Sequence, residues 1–189
     1  MRNLDDLLTD ENISVAHNYY ETVGKFHEYL KLKGRWPHPG QWRVIKKIFR
    51  DKTKVNFIQC GRNWAKSETG IYVPWRFAME NPGSLTYIVA PSRVMGKGIY
   101  WTSERLPRYG PQEFILEENA SYGELILNFR NHDGIPSKII VDGCDNPNAG
   151  RGKKPDLIIY DEFRDHNPSF DREVTRANML GKDATLISL

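Results

Sequence analysis

The sequence predicts an α/β protein, a mostly parallel sheet flanked by helices and preceded by an N-terminal helical segment. Three observations carry that expectation. From residue 54 onward, short apolar runs bounded by turn residues alternate with stretches of helical period. One run, Asp156-Leu157-Ile158-Ile159-Tyr160, is nearly continuous in large apolar side chains, as a strand covered on both faces must be. Residues 1–50 show helical periodicity alone.

The first predicted helix runs from Ser14 to Lys33. Val15, Tyr19, Val23, Phe26 and Leu30 recur at steps of three and four, forming one apolar stripe, and Gly34 is a natural stop. A proline-bounded turn, Trp36-Pro37-His38-Pro39-Gly40, leads into a short helix from Gln41 to Phe49 that buries Val44, Ile45, Ile48 and Phe49. Lys54 to Cys60 reads as a buried strand, 61–67 as a polar loop, and Glu68 to Met79 as a helix that Pro74 should bend or begin. Ser84 to Ala90 is a second strand, closed by Pro91. Arg93 to Leu106 is predicted helical. Phe114 to Leu116, Glu124 to Phe129 and Lys138 to Asp142 are short strands, with a hairpin across Ser121-Tyr122-Gly123. After the Asp156–Tyr160 strand come a helix over Phe170 to Leu180 and a final strand over Ala184 to Leu189. The organisation expected is a helical segment over 1–50 and an α/β core over 51–189.

Composition narrows the class. At 39% hydrophobic and 27% charged residues, the chain reads as an ordinary soluble globular protein. No apolar run is long enough to span a bilayer, and the acidic start MRNLDDLLTDEN is unlike a secretory signal. Cys60 and Cys144 are too few for a disulfide framework, so a reducing cytosolic setting fits. His17, His27, His38, His132 and His166 match no zinc spacing. A net charge of +3 is too mild to argue by itself for nucleic acid.

Two segments carry chemistry. Cys60-Gly61-Arg62-Asn63-Trp64-Ala65-Lys66-Ser67 lies between a strand and a helix, where backbone N–H groups and the helix dipole favour an anion. Lys66 is placed to reach β- and γ-phosphates and the Ser67 hydroxyl to hold Mg²⁺. The usual pattern G-x-x-x-x-G-K-[ST] is met imperfectly. Cys60 stands at its first glycine and Ala65 at its second, where a small side chain permits close approach but a positive φ is less easy. The bland alternative is a polar turn with an exposed lysine. The second segment is the acidic end of the apolar strand, Asp161-Glu162, at the strand terminus where α/β sheets place ligands. Asp161 suits Mg²⁺, and Glu162 suits polarising an attacking water. Here the alternative is a strand that ends in two solvated acids.

Taken together these residues resemble the large terminase subunits of tailed bacteriophages. In that family an arginine follows the loop glycine and Gly or Ala precedes the lysine, as in Gly61-Arg62-Asn63-Trp64-Ala65-Lys66-Ser67. Trp36-Pro37-His38-Pro39-Gly40-Gln41 resembles the family's adenine-recognition segment. Tyr87-Ile88-Val89-Ala90-Pro91 is similar to its second strand. Gly150-Arg151-Gly152 with Asp156 through Glu162 resembles its basic turn and acidic strand. The likeness runs from Trp36 to Leu189.

The resemblance implies a P-loop NTPase core of the ASCE type, with ATP and Mg²⁺ as cofactors and ATP hydrolysis powering the packaging of double-stranded DNA into a procapsid. It implies a nucleotide site of Gln41, Gly61, Arg62, Asn63, Trp64, Ala65, Lys66 and Ser67, with Gln41 reading the adenine edge and Trp64 given no chemistry of its own. Metal would be held by Ser67 and Asp161. Glu162, Lys66, Arg62 and Arg151 would be catalytic, Arg62 touching the γ-phosphate and Arg151 acting as a finger toward a neighbouring subunit. The alternatives are an exposed first-turn residue for Gln41, a surface arginine for Arg62 and a basic loop for Arg151. Implied partners are a portal protein, a small terminase subunit and other copies in a ring, in host cytoplasm and docked transiently on the procapsid. Lys97, Arg105 and Arg108 are candidate DNA contacts.

The resemblance also implies pieces the chain has no room for: a nuclease domain, a coupling motif, and a further core strand beside Lys54–Cys60. The expectation is therefore a C-terminally truncated motor, a fragment or one part of a split gene, that binds nucleotide and turns it over poorly alone, with Lys54–Cys60 as an exposed edge. A helicase-type ATPase fragment and a non-hydrolysing assembly module are the rival readings.

Overall fold

The computed structural model describes residues 10–51, 53–61, 63–102, 105–128, 135–145, 152–175 and 184–189. Helices α1 (Asp10–Tyr19) and α2 (Lys25–Leu32) form one helical stretch joined by a π-helical turn, Tyr20–Gly24. Next come α3 (Pro39–Asp51), β1 (Val55–Phe57), α4 (Lys66–Glu80), β2 (Leu85–Ala90) and α5 (Arg93–Tyr100). Strands β3 (Ile115–Asn119), β4 (Glu124–Leu127), β5 (Ser137–Gly143) and β6 (Leu157–Tyr160) follow, then a single turn α6 (Pro168–Phe170) and β7 (Thr185–Ser188). The strands form a seven-stranded sheet in the order β1-β7-β6-β2-β5-β4-β3. From β1 to β5 the pairings are parallel; β4 and β3 join antiparallel. The predicted α/β class and mostly parallel sheet are what the chain adopts.

Period-two alternation sorts the strand residues into two cores. Ile88, Val141, Leu157, Ile159 and Ile187 pack with α2, α3, α4 and α5 on one face. Tyr87, Val89, Ile140, Ile158, Tyr160 and Leu186 pack with Phe170 and Cys144 on the other. All four residues of β6 are buried, which explains the unbroken apolar run. On the first face Trp75 is fully buried and its indole N–H donates to the Leu106 carbonyl at 3.0 Å, so the one polar atom of that large side chain is satisfied.

Several expectations are corrected. Lys54–Cys60 is not a buried strand: only residues 55–57 are in strand conformation, and Phe57 is 71% exposed. Among the described residues β1 stands at one end of the sheet and pairs with β7. The N-terminal stripe is interrupted. Val23, Phe26 and Leu30 are buried, whereas Val15 and Tyr19 are 62% and 46% exposed. The π turn adds a residue to one helical turn and rotates everything upstream out of register with the core.

Helix α4 begins at Lys66, two residues earlier than expected, so Pro74 sits in its interior and not in its first turn. Helix α5 ends at Tyr100 and not at Leu106; the chain folds back so that the Leu106 N–H donates to the Tyr100 carbonyl at 2.8 Å. The 121–123 hairpin forms, and Gly123 is required there. Its φ is +68°, and a Cβ would lie 2.6 Å from the Val141 carbonyl oxygen. Of the predicted Phe170–Leu180 helix, residues 170–175 form the end of α6 and a π turn; 176–180 lie outside the described residues, as does Phe129. Among the described residues no helix is long and apolar enough to cross a membrane.

Candidate functional site

The loop between β1 and α4 is shaped by two left-handed residues. Asn63 has φ +65° and Ala65 φ +59°, ψ +48°, a region that side chains with a Cβ rarely occupy. Ala65 does adopt the conformation that its position makes difficult. The first helical bond of α4 runs from the Glu68 N–H to the Ala65 carbonyl at 3.1 Å. The N–H groups of Lys66 and Ser67 precede it and so lie at the open, electropositive end of a fifteen-residue helix.

The acidic pair emerges from β6. Asp161 is buried. Its N–H donates to the Val89 carbonyl at 3.0 Å, its own carbonyl is 2.8 Å from His166 Nε2, and its Oδ2 accepts from the Tyr100 hydroxyl at 2.9 Å. Burial raises the Asp161 carboxyl above its ordinary pKa, and the Tyr100 hydrogen bond works against that rise. Glu162 differs at every point. Its side chain is 48% exposed, its φ is +53°, and its Oε1 lies 3.2 Å from Lys66 Nζ. β1 and β6 are separated by β7 alone, so the loop and the acids converge over the end of one strand. The loop and Glu162 bound a cleft of about 500 Å³, with Cys60, Gly61, Lys66, Ser67 and Glu162 among its walls. That volume is of the order of a small-molecule site.

The upstream turn is fastened to this loop. Gln41 is 5% exposed; its Nε2 donates to the Ala65 carbonyl at 3.0 Å and its Oε1 accepts from the His38 N–H at 2.9 Å. His38 Nε2 lies 3.2 Å from the Trp64 carbonyl, and the His38 and Trp64 rings meet edge-on at 5.3 Å. Two of the four hydrogen-bonding positions of the Gln41 amide are thus used within the chain, one on the loop and one on the upstream turn, leaving one N–H and one oxygen lone pair. Arg62 and Arg151 lie outside the described residues. Lys97, Arg105 and Arg108 are each engaged within the chain: Lys97 with the Ser121 carbonyl at 2.7 Å, Arg105 with the Glu68 carboxylate, and Arg108 with Glu118 at 3.1 Å.

Sequence reasoning missed Tyr100 and His166, which stand in no motif, and gave no role to His38 within the Trp36–Gln41 segment; each becomes relevant through a partner brought close by the fold. Among the described residues no group of three His, Cys, Asp or Glu side chains could hold a metal.

No protein-family model matches the chain, and no curated protein matches it in sequence. Solved structures do match in shape. The large terminase ATPase domain of Thermus phage P74-26 superposes with a TM-score of 0.67 at 23% identity, over 87% of this chain and 69% of that one. The fold is that of a phage large-terminase ATPase domain. The HK97 bacteriophage large terminase matches at TM-score 0.63 and 16% identity, over 80% of this chain and 32% of its own. The large terminase of the thermophilic bacteriophage D6E, solved in complex with ATP-γ-S, matches at 0.61 and 14%, over 79% and 36%.

Proposed function

We propose that this chain binds and hydrolyses ATP as the motor core of a viral DNA-packaging terminase. The observation that carries this reading is the 3.2 Å approach of Lys66 Nζ to Glu162 Oε1, at the mouth of a cleft floored by a helix N-terminus. A lysine and a carboxylate from distant parts of the sequence meet where a terminal phosphate would need charge neutralisation on one side and an oriented water on the other. The D6E terminase, of the same fold, was solved with ATP-γ-S and with ADP.

The residues fit Mg²⁺. It is bound by one or two carboxylates together with substrate phosphates and waters, not by a dedicated protein cage. Asp161 and Ser67 supply such donors. When bound, the cation neutralises charge on the β- and γ-phosphates.

Within this reading Lys66 turns from Glu162 to the phosphates, and the amides of the loop and of the first turn of α4 take the remaining oxygens. Glu162, released, orients a water in line with the γ-phosphate and accepts its proton. Gln41 and His38 keep the loop in its left-handed shape. Arg62 is the candidate for a γ-phosphate contact and Arg151 for a finger presented to a neighbouring copy. Double-stranded DNA, a portal and a small subunit are the partners proposed from the resemblance. DNA contacts made mainly to phosphates would weaken steeply with salt.

The test is phosphate release and nucleotide affinity, with and without Mg²⁺, for the wild type, Glu162→Ala and Lys66→Ala. Glu162→Ala should bind ATP and lose turnover; Lys66→Ala should lose affinity as well. Undiminished turnover in Glu162→Ala would overturn the assignment. Mg²⁺-dependent binding without turnover in the wild type would favour the non-hydrolysing assembly module.

A further inference from the structure

Asp161 and Glu162 are adjacent in sequence and opposite in restraint. Glu162 projects into the cleft from a left-handed backbone. Asp161 is held at three points: by Val89 through its N–H, by His166 through its carbonyl, and by Tyr100 through Oδ2. The third restraint acts on the carboxylate itself. Tyr100 is the last residue of α5 and is fully buried. Its hydroxyl donates to Asp161 Oδ2 at 2.9 Å.

Room for this contact is made by α4. A Cβ on Gly70 would stand 2.8 Å from the Tyr100 hydroxyl oxygen and 2.9 Å from Leu189 Cδ1. Glycine in a helix interior is less favourable than alanine. Here it removes the side chain that would push the hydroxyl away from Asp161.

We propose that Tyr100 is a positioning residue for the divalent cation, fixing the orientation of the Asp161 carboxylate through its bond to Oδ2, with Gly70 as the gap that lets it do so. The inference rests on the reading of the site given above. Mg²⁺ demands near-octahedral geometry and gives up water reluctantly, so a carboxylate that swings binds it less well than one that is locked. Partners that orient a metal ligand are typically worth about 10- to 100-fold in metal affinity.

The experiment measures ATP-γ-S affinity by isothermal titration in Mg²⁺ and in EDTA, for the wild type, Tyr100→Phe, Gly70→Ala, Asp161→Asn and the Tyr100→Phe/Asp161→Asn double variant. Phenylalanine keeps the ring and loses the hydroxyl. Its affinity in EDTA should stay within about twofold of wild type, while the gain in affinity on adding Mg²⁺ falls about tenfold. Gly70→Ala should reproduce that loss. In the Asp161→Asn background, Tyr100→Phe should have no further effect on the Mg²⁺ gain. A full Mg²⁺ gain in Tyr100→Phe overturns the positioning role. So does an equal loss of affinity in EDTA, which would mark Tyr100 as a packing residue. A wild type with no Mg²⁺ gain at all would instead sink the ATPase reading, a separate result.

Discussion

Lys66 and Glu162 form an ion pair at 3.2 Å although 96 residues separate them in sequence. With side chains 24% and 48% exposed, the pair is part-solvated, and such a pair is worth at most about 1 kcal/mol. It is therefore a resting contact that a phosphate can displace. Glu162→Gln removes Lys66's partner, so ATP should bind up to about fivefold more tightly at low salt, since 1 kcal/mol is close to that factor. Turnover should fall at least 100-fold with the loss of the base. Titration at two salt concentrations, with phosphate release measured alongside, checks both; unchanged affinity at low salt would show that the pair does not compete with nucleotide.

Ala65 holds φ +59°, where an L-residue costs roughly 1–2 kcal/mol more than glycine. Glycine also adds about 0.4–1 kcal/mol of unfolded-state entropy, which offsets part of the gain. Ala65→Gly should thus stabilise the chain by about 0.5 kcal/mol net and keep the loop shape. Ala65→Val, β-branched in the same conformation, should destabilise it. Thermal melts of the two variants should move in opposite directions.

Gly110 lies against the indole of Trp75, and a Cβ there would be 2.5 Å from Trp75 Cζ3. Trp75 is fully buried and fixed by its hydrogen bond to Leu106, so it cannot yield easily. Gly110→Ala should cost about 1–3 kcal/mol through overpacking. Urea unfolding measures it, and a change below half a kilocalorie per mole, about the size of an ordinary surface substitution, would show that the core gives way there.

His27 is half-buried, with Nε2 2.7 Å from the Tyr72 hydroxyl, and burial, helped by the positive charges of Arg76 and Lys31, lowers its pKa to about 4. The unfolded chain protonates near 6.5, the folded one only near 4. Between those values the unfolded state holds more protons, so stability is full above pH 6.5 and is lost as pH falls toward 4. The loss should be on the order of 2 kcal/mol. Comparing urea midpoints of the wild type and His27→Gln across pH 7.5 to 4.5 isolates it: the wild type should lose more, and parallel curves would refute the assignment.

Much of the site was legible because its signals are local. A lysine-serine pair after a short strand and two acids after an apolar one are readable from neighbours in the chain, and so is the hairpin at Gly123. The ends of α5 and the register of the first helices were not. The fold-back of Leu106 onto Tyr100 and the π turn at Tyr20–Gly24 depend on what the segments pack against. The apolar composition of residues 54–60 suggested burial, but β1 lies at one end of the described sheet and Phe57 is largely exposed.

The sequence by itself determined the α/β class, the strand that carries Asp161 and Glu162, and the loop that carries Lys66 and Ser67, because periodicity and turn chemistry act over a few residues. Tertiary structure alone decided that Lys66 reaches Glu162, that Tyr100 restrains Asp161 from 61 residues away, and that Gln41 braces Ala65. Those contacts follow from the order of strands in the sheet and from where helices come close enough to touch. No short-range pattern encodes such long-range packing.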